Sequence, residues 1–240
     1  MSTLRVHSFE SFATLDGTGI RCAVFFAGCP LRCLCCHNAD TWTAAGTEYT
    51  PEALAEKILR FRTYFGKNGG VTWSGGEPLL QARALSELSR IMKREGIHVA
   101  LDTSGCLWNA DVAELLNSVD LVIADLKRPT EEDYRTFAGG SLASVLRFLE
   151  EVCARRIPLW LRTVVVPGIN DTEGDIDAYY EIARRFPAEK YELLGFHTLG
   201  FSKYEAQGIV NPLAGTPALD AGRRKELQAY LDGKYERERG

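Results

Sequence analysis

The chain has 240 residues, 45% of them hydrophobic and 25% charged, which is enough for one globular domain with a sizeable core. Its formal net charge of −4 excludes the strongly basic surface that nucleic-acid-binding proteins carry. The sequence has no apolar run near the ~20 residues of a membrane-spanning helix.

Apolar segments alternate with amphipathic ones along the chain, and this alternation predicts six strand–helix units. The predicted strands cover residues 21–28, 70–73, 97–101, 121–124, 159–166 and 191–194. The predicted helices cover residues 53–65, 79–95, 111–117, 142–155, 172–186 and 221–231. Thr50 is expected to cap the first helix, and Gly96 to end the second.

Regular alternation of this kind is typical of parallel strands joined by crossover helices. The residues leave two architectures open, a doubly wound sheet and a β/α barrel, and both bind ligands at the carboxyl ends of the strands. The most unusual segments follow predicted strands directly, at residues 29–38, 74–78, 102–105 and 125–127. We therefore expect the functional site at this end.

The domain is expected to span residues 1–240, with residues 1–20 lining the site and 234–240 forming a frayed tail. The first residues, MSTLRVHSFES, lack the apolar stretch of a secretory signal. The seven cysteines form no secreted-type disulfide framework, which favours a reducing compartment. We expect a cytoplasmic monomer that binds neither nucleic acid nor a membrane.

The segment CPLRCLCCHN at residues 29–38 holds four of the cysteines. Cys29, Cys33 and Cys36 follow the spacing C-x3-C-x2-C, with Cys35 as an additional thiol. Thiolates this close together bind soft metals or iron–sulfur clusters. Three ligands would leave the fourth iron of a cubane cluster open for a ligand that is not protein. A zinc site that adds His37, or a disulfide, remains an alternative.

A second motif, Ser74-Gly75-Gly76-Glu77-Pro78, lies about 40 residues downstream. Together the two motifs resemble the radical S-adenosylmethionine (SAM) superfamily. Within it, the chain is similar to the pyruvate formate-lyase activating enzymes over nearly its whole length. That resemblance rests on DGTGIR, HN, DTSG, DLVIADLK, RTVVVPG and ELLGFHTLG, which occur in this order. It implies a partial, TIM-like (β/α)6 barrel whose splayed side admits a bulky substrate.

The resemblance also implies the chemistry. Cys29, Cys33 and Cys36 would hold one [4Fe–4S] cluster, and SAM would chelate its open iron. Reduction by a one-electron donor such as flavodoxin or ferredoxin would cleave SAM to a 5′-deoxyadenosyl radical. That radical would abstract hydrogen from a glycine Cα of pyruvate formate-lyase. The chain would thus be an oxidoreductase of the [formate-C-acetyltransferase]-activating type.

Several residues are expected to contact SAM because the resemblance places them at its site. Gly76 would let the backbone approach the methionine moiety, Lys127 would neutralise its carboxylate, and His197 would lie near the adenosine. The full predicted set is Cys35, Cys36, His37, Gly76, Asp125, Leu126, Lys127, Arg162 and His197. For each charged residue the alternative is an ordinary surface ion pair. Glu77 is expected to brace its loop, and Asp16 and Arg21 to orient the protein substrate.

A cation site is expected between Asp102 and Asp125, which end consecutive predicted strands. Two carboxylates close to the SAM carboxylate would repel each other unless a cation neutralised them. The Thr103 hydroxyl is a candidate third ligand. Such a sparse oxygen set favours Na+ or K+ over Ca2+. The alternative is that one of the carboxylates caps a helix or pairs with Arg162.

Three other functions compete with activation of pyruvate formate-lyase. Activases of other glycyl radical enzymes often carry a further cysteine-rich module, but no cysteine lies between Cys36 and Cys106. The second alternative is a radical SAM enzyme that acts on a small molecule. The third is a zinc-binding interaction protein.

Overall fold

The structure is a computed structural model and describes residues 2–239. It is built on one eight-stranded sheet with the order β3-β1-β2-β4-β5-β6-β7-β8. The strands are β1 Leu4–Ala13, β2 Arg21–Phe26, β3 Thr47–Tyr49, β4 Gly70–Gly75, β5 His98–Thr103, β6 Leu121–Asp125, β7 Leu159–Val165 and β8 Lys190–Gly195. Strands β2 and β4 to β8 are parallel neighbours in chain order, whereas β1 and β3 add an antiparallel edge.

Helices connect and cover the parallel strands. They are α1 Pro51–Leu59, α2 Arg62–Phe65, α3 Ala82–Arg94, α4 Ala110–Leu116, α5 Glu131–Ala138, α6 Leu142–Ala154, α7 Glu173–Ala183, α8 Phe201–Ala206 and α9 Ala221–Arg239. Short 3-10 turns occupy Ala39–Thr41 and Pro78–Gln81. The predicted six strand–helix units and the partial (β/α)6 barrel are confirmed, and the doubly wound alternative is set aside.

Local sequence signals explain most of the helix ends. The Thr50 hydroxyl accepts a hydrogen bond from the Ala53 amide at 3.2 Å, as predicted for the cap of α1. Thr172 forms a capping box with Asp175 at the start of α7. Gly96 follows α3 with a φ of +70°, a conformation that favours glycine.

The carboxyl-terminal segment differs from its prediction as a frayed tail. Helix α9 continues to Arg239, and Gly240 lies outside the described residues. Lys234 forms an ion pair with Asp177, and the Tyr180 hydroxyl donates to Glu238 at 2.7 Å. The side chains of Lys234 and Glu238 thus find partners on α7, where a frayed tail was predicted.

Two other parts of the prediction need adjustment. The helix expected at 53–65 is divided into α1 and α2, and the one expected at 79–95 begins with a 3-10 turn. Strands β1 and β3 and helices α5 and α8 were not predicted. Strand β1 does alternate between more and less buried residues, so its period of two was a usable signal.

Candidate functional site

A cavity of about 290 Å³ lies at the carboxyl ends of the parallel strands. It brings together most of the residues that the sequence singled out. These are Asp16, Cys29, Cys33, Cys35, Cys36, His37, Gly76, Asp102, Thr103, Asp125, Lys127 and Arg162. Sequence reasoning missed its apolar and aromatic wall, because strand periodicity does not say which residues face inward. That wall includes Phe25, Leu31, Trp42, Val164 and Leu194.

The cysteine loop leaves β2 and is fixed by backbone hydrogen bonds to distant segments. The Gly28 amide donates to the Thr41 carbonyl at 2.8 Å, and the Leu34 amide donates to the Phe137 carbonyl at 2.8 Å. Burial raises the pKa of the Cys29 thiol to about 12 and that of Cys33 to about 11. These thiols are therefore protonated at neutral pH until a metal displaces the protons.

Helix α8 also binds the cysteine loop, through two of its side chains. The Tyr204 hydroxyl, almost fully buried, donates to the Cys36 carbonyl at 3.0 Å. The Lys203 ammonium donates to Asn38 Oδ1 at 2.7 Å and pairs with Asp40 at 3.2 Å. The loop carrying Cys36 is thus held by a segment far away in the sequence.

Glu77 is fully buried behind the cavity and binds two loops together. Its carboxylate accepts hydrogen bonds from the Thr103 hydroxyl at 2.6 Å and the Ser104 amide at 3.0 Å, and also from the Ser104 hydroxyl. The Leu79 amide donates to it at 3.0 Å. Burial raises its pKa, although these hydrogen bonds oppose the shift. Its expected bracing role is confirmed.

The two glycines before Glu77 are required by the backbone around them. Gly75 has a φ of +111°. A Cβ on Gly76 would lie 2.2 Å from the Gly28 carbonyl oxygen, much closer than van der Waals contact allows. Because Gly28 precedes the first cysteine of the loop, the close approach at Gly76 packs two loops of the protein together.

Asp102 and Asp125 both line the cavity, as expected. Asp102 accepts a hydrogen bond from the Ser74 hydroxyl at 2.8 Å. Burial, with a smaller contribution from Asp125, raises the pKa of Asp102 to about 7. Asp125 forms an ion pair with Lys127, whose pKa is raised well above its ordinary value because the neighbouring negative groups outweigh its burial.

Arg162 lines the cavity but takes its partners from elsewhere. Its guanidinium donates to the Leu15 carbonyl and lies 3.3 Å from Glu192 Oε2. The anticipated pairing of an aspartate with Arg162 is thus replaced by the Glu192 pair.

Thr103, a predicted cation ligand, is held by two hydrogen bonds. Its hydroxyl donates to Glu77 and accepts from the Gly105 amide at 3.0 Å. The hydroxyl oxygen keeps a second lone pair, so both bonds are compatible with the predicted role of Thr103 as a cation ligand.

Two residues predicted to contact SAM, Leu126 and His197, are not among those that line the cavity. Leu126 is a core residue whose amide donates to the Arg162 carbonyl and whose carbonyl accepts from Thr163. His197 stacks on His37 with ring centroids 3.8 Å apart, so it supports a wall residue. Their contact with SAM stays a prediction.

Asp16 and Arg21 share one motif and are joined through Thr72, whose hydroxyl donates to the Asp16 carbonyl and accepts from the Arg21 guanidinium. Asp16 reaches the cavity wall, and burial raises the pKa of its carboxyl. Arg21 begins β2 at the opposite, amino-terminal end of the strands. It is fully buried there and donates to Thr72 Oγ1 at 2.6 Å and the Thr18 carbonyl at 3.0 Å. Arg21 does not line the cavity, so its position gives no support to the predicted role in orienting a substrate.

The sequence model of the Radical SAM superfamily matches residues 23–179. The pyruvate formate-lyase-activating enzyme of Clostridium pasteurianum is 42% identical over 230 residues, covering 95% of this chain and 96% of that protein. The pyruvate formate-lyase 1-activating enzyme of Escherichia coli K12 is 43% identical over 216 residues, covering 88% of each. The chain belongs to the pyruvate formate-lyase-activating enzyme family of the radical SAM superfamily.

Solved structures show the same fold. A domain of a pyruvate-formate lyase-activating enzyme from Bacteroides vulgatus matches with a TM-score of 0.56 and 24% identity, covering 69% of this chain and 94% of that one. TYW1 with a lysine-pyruvate adduct bound matches with a TM-score of 0.63 and 18% identity, covering 89% and 73%.

Radical SAM enzymes use a [4Fe–4S] cluster and SAM, and the site of this family member suits both. The cluster needs soft thiolate donors, and Cys29, Cys33 and Cys36 all line the cavity. SAM needs polar partners, and Lys127 lies on the same cavity. Within the described chain, the buried His37 Nε2 has no hydrogen-bond partner. Family membership therefore favours the cluster over the zinc alternative.

Among the described residues, none of the helices combines the length and the apolar character that crossing a membrane requires.

Proposed function

We propose that the chain activates pyruvate formate-lyase by generating a radical on one of its glycines. The observation that carries the proposal is the convergence of the cysteine loop and the SGGEP loop in one cavity, in a chain 42% identical to a named activase. When bound, the cluster and SAM supply an electron and a 5′-deoxyadenosyl radical that removes hydrogen from the glycine Cα. The protein supplies position and shielding.

Cys29, Cys33 and Cys36 are the proposed cluster ligands. Cys35 is 4% exposed and belongs to a small core with Phe137, Val166, Phe196 and Leu213. A thiol packed among apolar side chains behaves as a small hydrophobe. The support for three ligands is thus the spacing together with the separate packing of Cys35.

SAM is proposed to lie between the glycine loop and the charged strand ends. The backbone of Gly75 and Gly76 offers polar groups without side chains, and Lys127 offers a cation for the carboxylate. His37, supported from behind by His197, and the backbone of Cys35 and Cys36 form the opposite wall. Arg162, bound to Leu15, holds the segment from which Asp16 faces the cavity.

A monovalent cation is proposed between Asp102 and Asp125. The support is electrostatic, since Asp125 contributes to the raised pKa of Asp102. Lys127 already pairs with Asp125, so Asp102 is the carboxylate that gains most from a cation.

The proposal also includes the partners of the reaction. A flavodoxin or ferredoxin supplies the electron to a monomeric, cytoplasmic activase. Glycine suits the reaction because its α-radical is stabilised by both flanking amide groups, and no side chain obstructs the approach.

Anaerobic incubation of the reconstituted protein with purified pyruvate formate-lyase, SAM and a reductant tests the function. We expect electron paramagnetic resonance to detect a glycyl radical and formate-lyase activity to appear. The Cys36→Ala variant is the negative control. SAM cleavage without any radical on pyruvate formate-lyase would refute the proposal and favour a different substrate.

A further inference from the structure

A second cavity of about 230 Å³ adjoins the candidate site on the open side of the barrel. The two cavities share Phe25 and Asn38 in their walls. The outer parts of the second one come from Ser8 and Glu10 of β1 and from Lys203 of α8. We call this second cavity the side trench. It leads from the cavity proposed for SAM to the surface where the sheet stays open.

The side trench runs beside an unpaired strand edge. Strand β1 pairs with β2 along most of its length, but it pairs with β3 only at Leu4, Arg5 and Val6. From residue 7 to residue 13, β1 has no second strand neighbour among the described residues. A strand edge of this kind presents backbone groups that another extended chain can pair with.

We propose that the side trench binds the glycine-bearing segment of the protein substrate in extended form, as an added strand beside residues 7–13 of β1. The inference rests on the proposed function, because it names the docking route to that same site. The side trench is continuous with the main cavity, because both are lined by Phe25 and Asn38. A peptide beside β1 would therefore reach the cavity proposed for SAM, and this identifies the substrate segment as the occupant. An extended backbone is also the form in which a glycine exposes its Cα without a side chain.

The ends of the trench carry groups that suit a peptide backbone. Ser8 and Glu10 are exposed. Ser8 Oγ lies 3.0 Å from His7 Nδ1, and Glu10 Oε1 accepts from the Phe12 amide at 3.2 Å, so the second carboxylate oxygen of Glu10 is the acceptor left for a peptide. Lys203 faces them from α8 and is already held by Asn38 and Asp40, so its ammonium is positioned before a peptide arrives. Backbone pairing would give affinity, and these side chains would fix the register.

The first test uses hydrogen exchange of the wild-type holoenzyme. A synthetic peptide spanning the radical-bearing glycine of pyruvate formate-lyase is added in the presence of SAM. We expect slower exchange of backbone amides within residues 7–13, and unchanged exchange in β3. Unchanged exchange of β1 at saturating peptide would overturn the inference.

The second test blocks the trench. Ser8→Trp places a large ring in it, whereas Thr47→Trp puts the same ring on an exposed position of β3 that lines neither cavity. We expect Ser8→Trp to raise the KM for the peptide at least tenfold, with SAM affinity and SAM cleavage without peptide unchanged. Thr47→Trp should keep the wild-type KM.

The two proposals fail in different ways. If wild-type enzyme forms the glycyl radical while Ser8→Trp keeps a normal KM, only the docking route is wrong. If wild-type enzyme forms no radical in pyruvate formate-lyase, both proposals fall. Should Ser8→Trp fail to fold, the exchange experiment on the wild-type protein still decides.

Discussion

At the scale of single residues, Cys35 and Cys36 are neighbours with different environments. Cys35 is buried in an apolar cluster, whereas Cys36 is half-buried and faces the cavity with the other proposed ligands. We predict that Cys36→Ala loses most of its iron and all SAM cleavage. Cys35→Ala should retain iron and lose about 1 kcal/mol of stability from the smaller side chain. Iron analysis and thermal unfolding of both variants provide the measurement; the reverse pattern would show that the ligand set is wrong.

Asp102 gives the site a pH dependence. Its pKa is about 7 in the folded protein and near 3.8 when unfolded, so the folded state holds the proton more tightly. The stability that this proton contributes is present below pH 4 and is lost as pH rises towards 7. Without SAM, we expect the unfolding free energy of Asp102→Asn to fall less over this range than that of wild type. The difference should stay below about 4 kcal/mol, since Asp102 is partly exposed.

A cation bound at Asp102 would make the stability of the protein depend on both Na+ or K+ and pH. Above pH 7 Asp102 is ionised, so Na+ or K+ should stabilise the wild-type protein more at pH 8 than at pH 6. Thermal unfolding in buffers with a large organic cation, with Na+ or K+ titrated back, measures this. If Na+ or K+ stabilised wild type and Asp102→Asn equally, the proposed cation site at Asp102 would be wrong.

At the scale of elements, the glycine loop and the cysteine loop behave as one unit. A Cβ at Gly76 would collide with the Gly28 carbonyl, whereas a Cβ at Gly215 would meet no atom within 4 Å. We predict that Gly76→Ala impairs iron loading and SAM binding together, and that Gly215→Ala impairs neither. Full iron content with selective loss of SAM affinity would instead indicate that Gly76 serves the ligand alone.

Helix α8 is a second element that acts on the cluster loop. Tyr204→Phe removes one hydroxyl and leaves the Cys36 carbonyl without its donor in a buried place. We expect iron loss to a chelator to become several-fold faster, because groups that orient metal ligands typically affect metal retention. Tyr180→Phe is the matched control, since that hydroxyl joins α7 to Glu238 of α9 and makes no bond to the cysteine loop. Equal rates in all three proteins would show that α8 does not secure the loop.

At the scale of the whole molecule, the sequence predicts best those site residues that lie close together in one loop or at equivalent strand ends. Cys29, Cys33 and Cys36 are brought together by their spacing alone, and the alternation of strands brings Asp102 and Asp125 to one edge. It predicts poorly what depends on packing between distant segments. The Arg21 guanidinium is fully buried and bonded to Thr72, and His197 stacks on His37. No local pattern marks these contacts, since they are set by how the completed barrel packs.

The hydrogen bonds from α8 to the cysteine loop can form only late in the synthesis of the chain. The Tyr204 to Cys36 hydrogen bond joins residues 168 positions apart, so the loop is synthesised long before α8. At about 5–20 residues per second, roughly 10–30 s separate the two on the ribosome. During that interval the thiols lack the segment that later holds them. The nascent chain is then most open to iron delivery, and equally to oxidation by air.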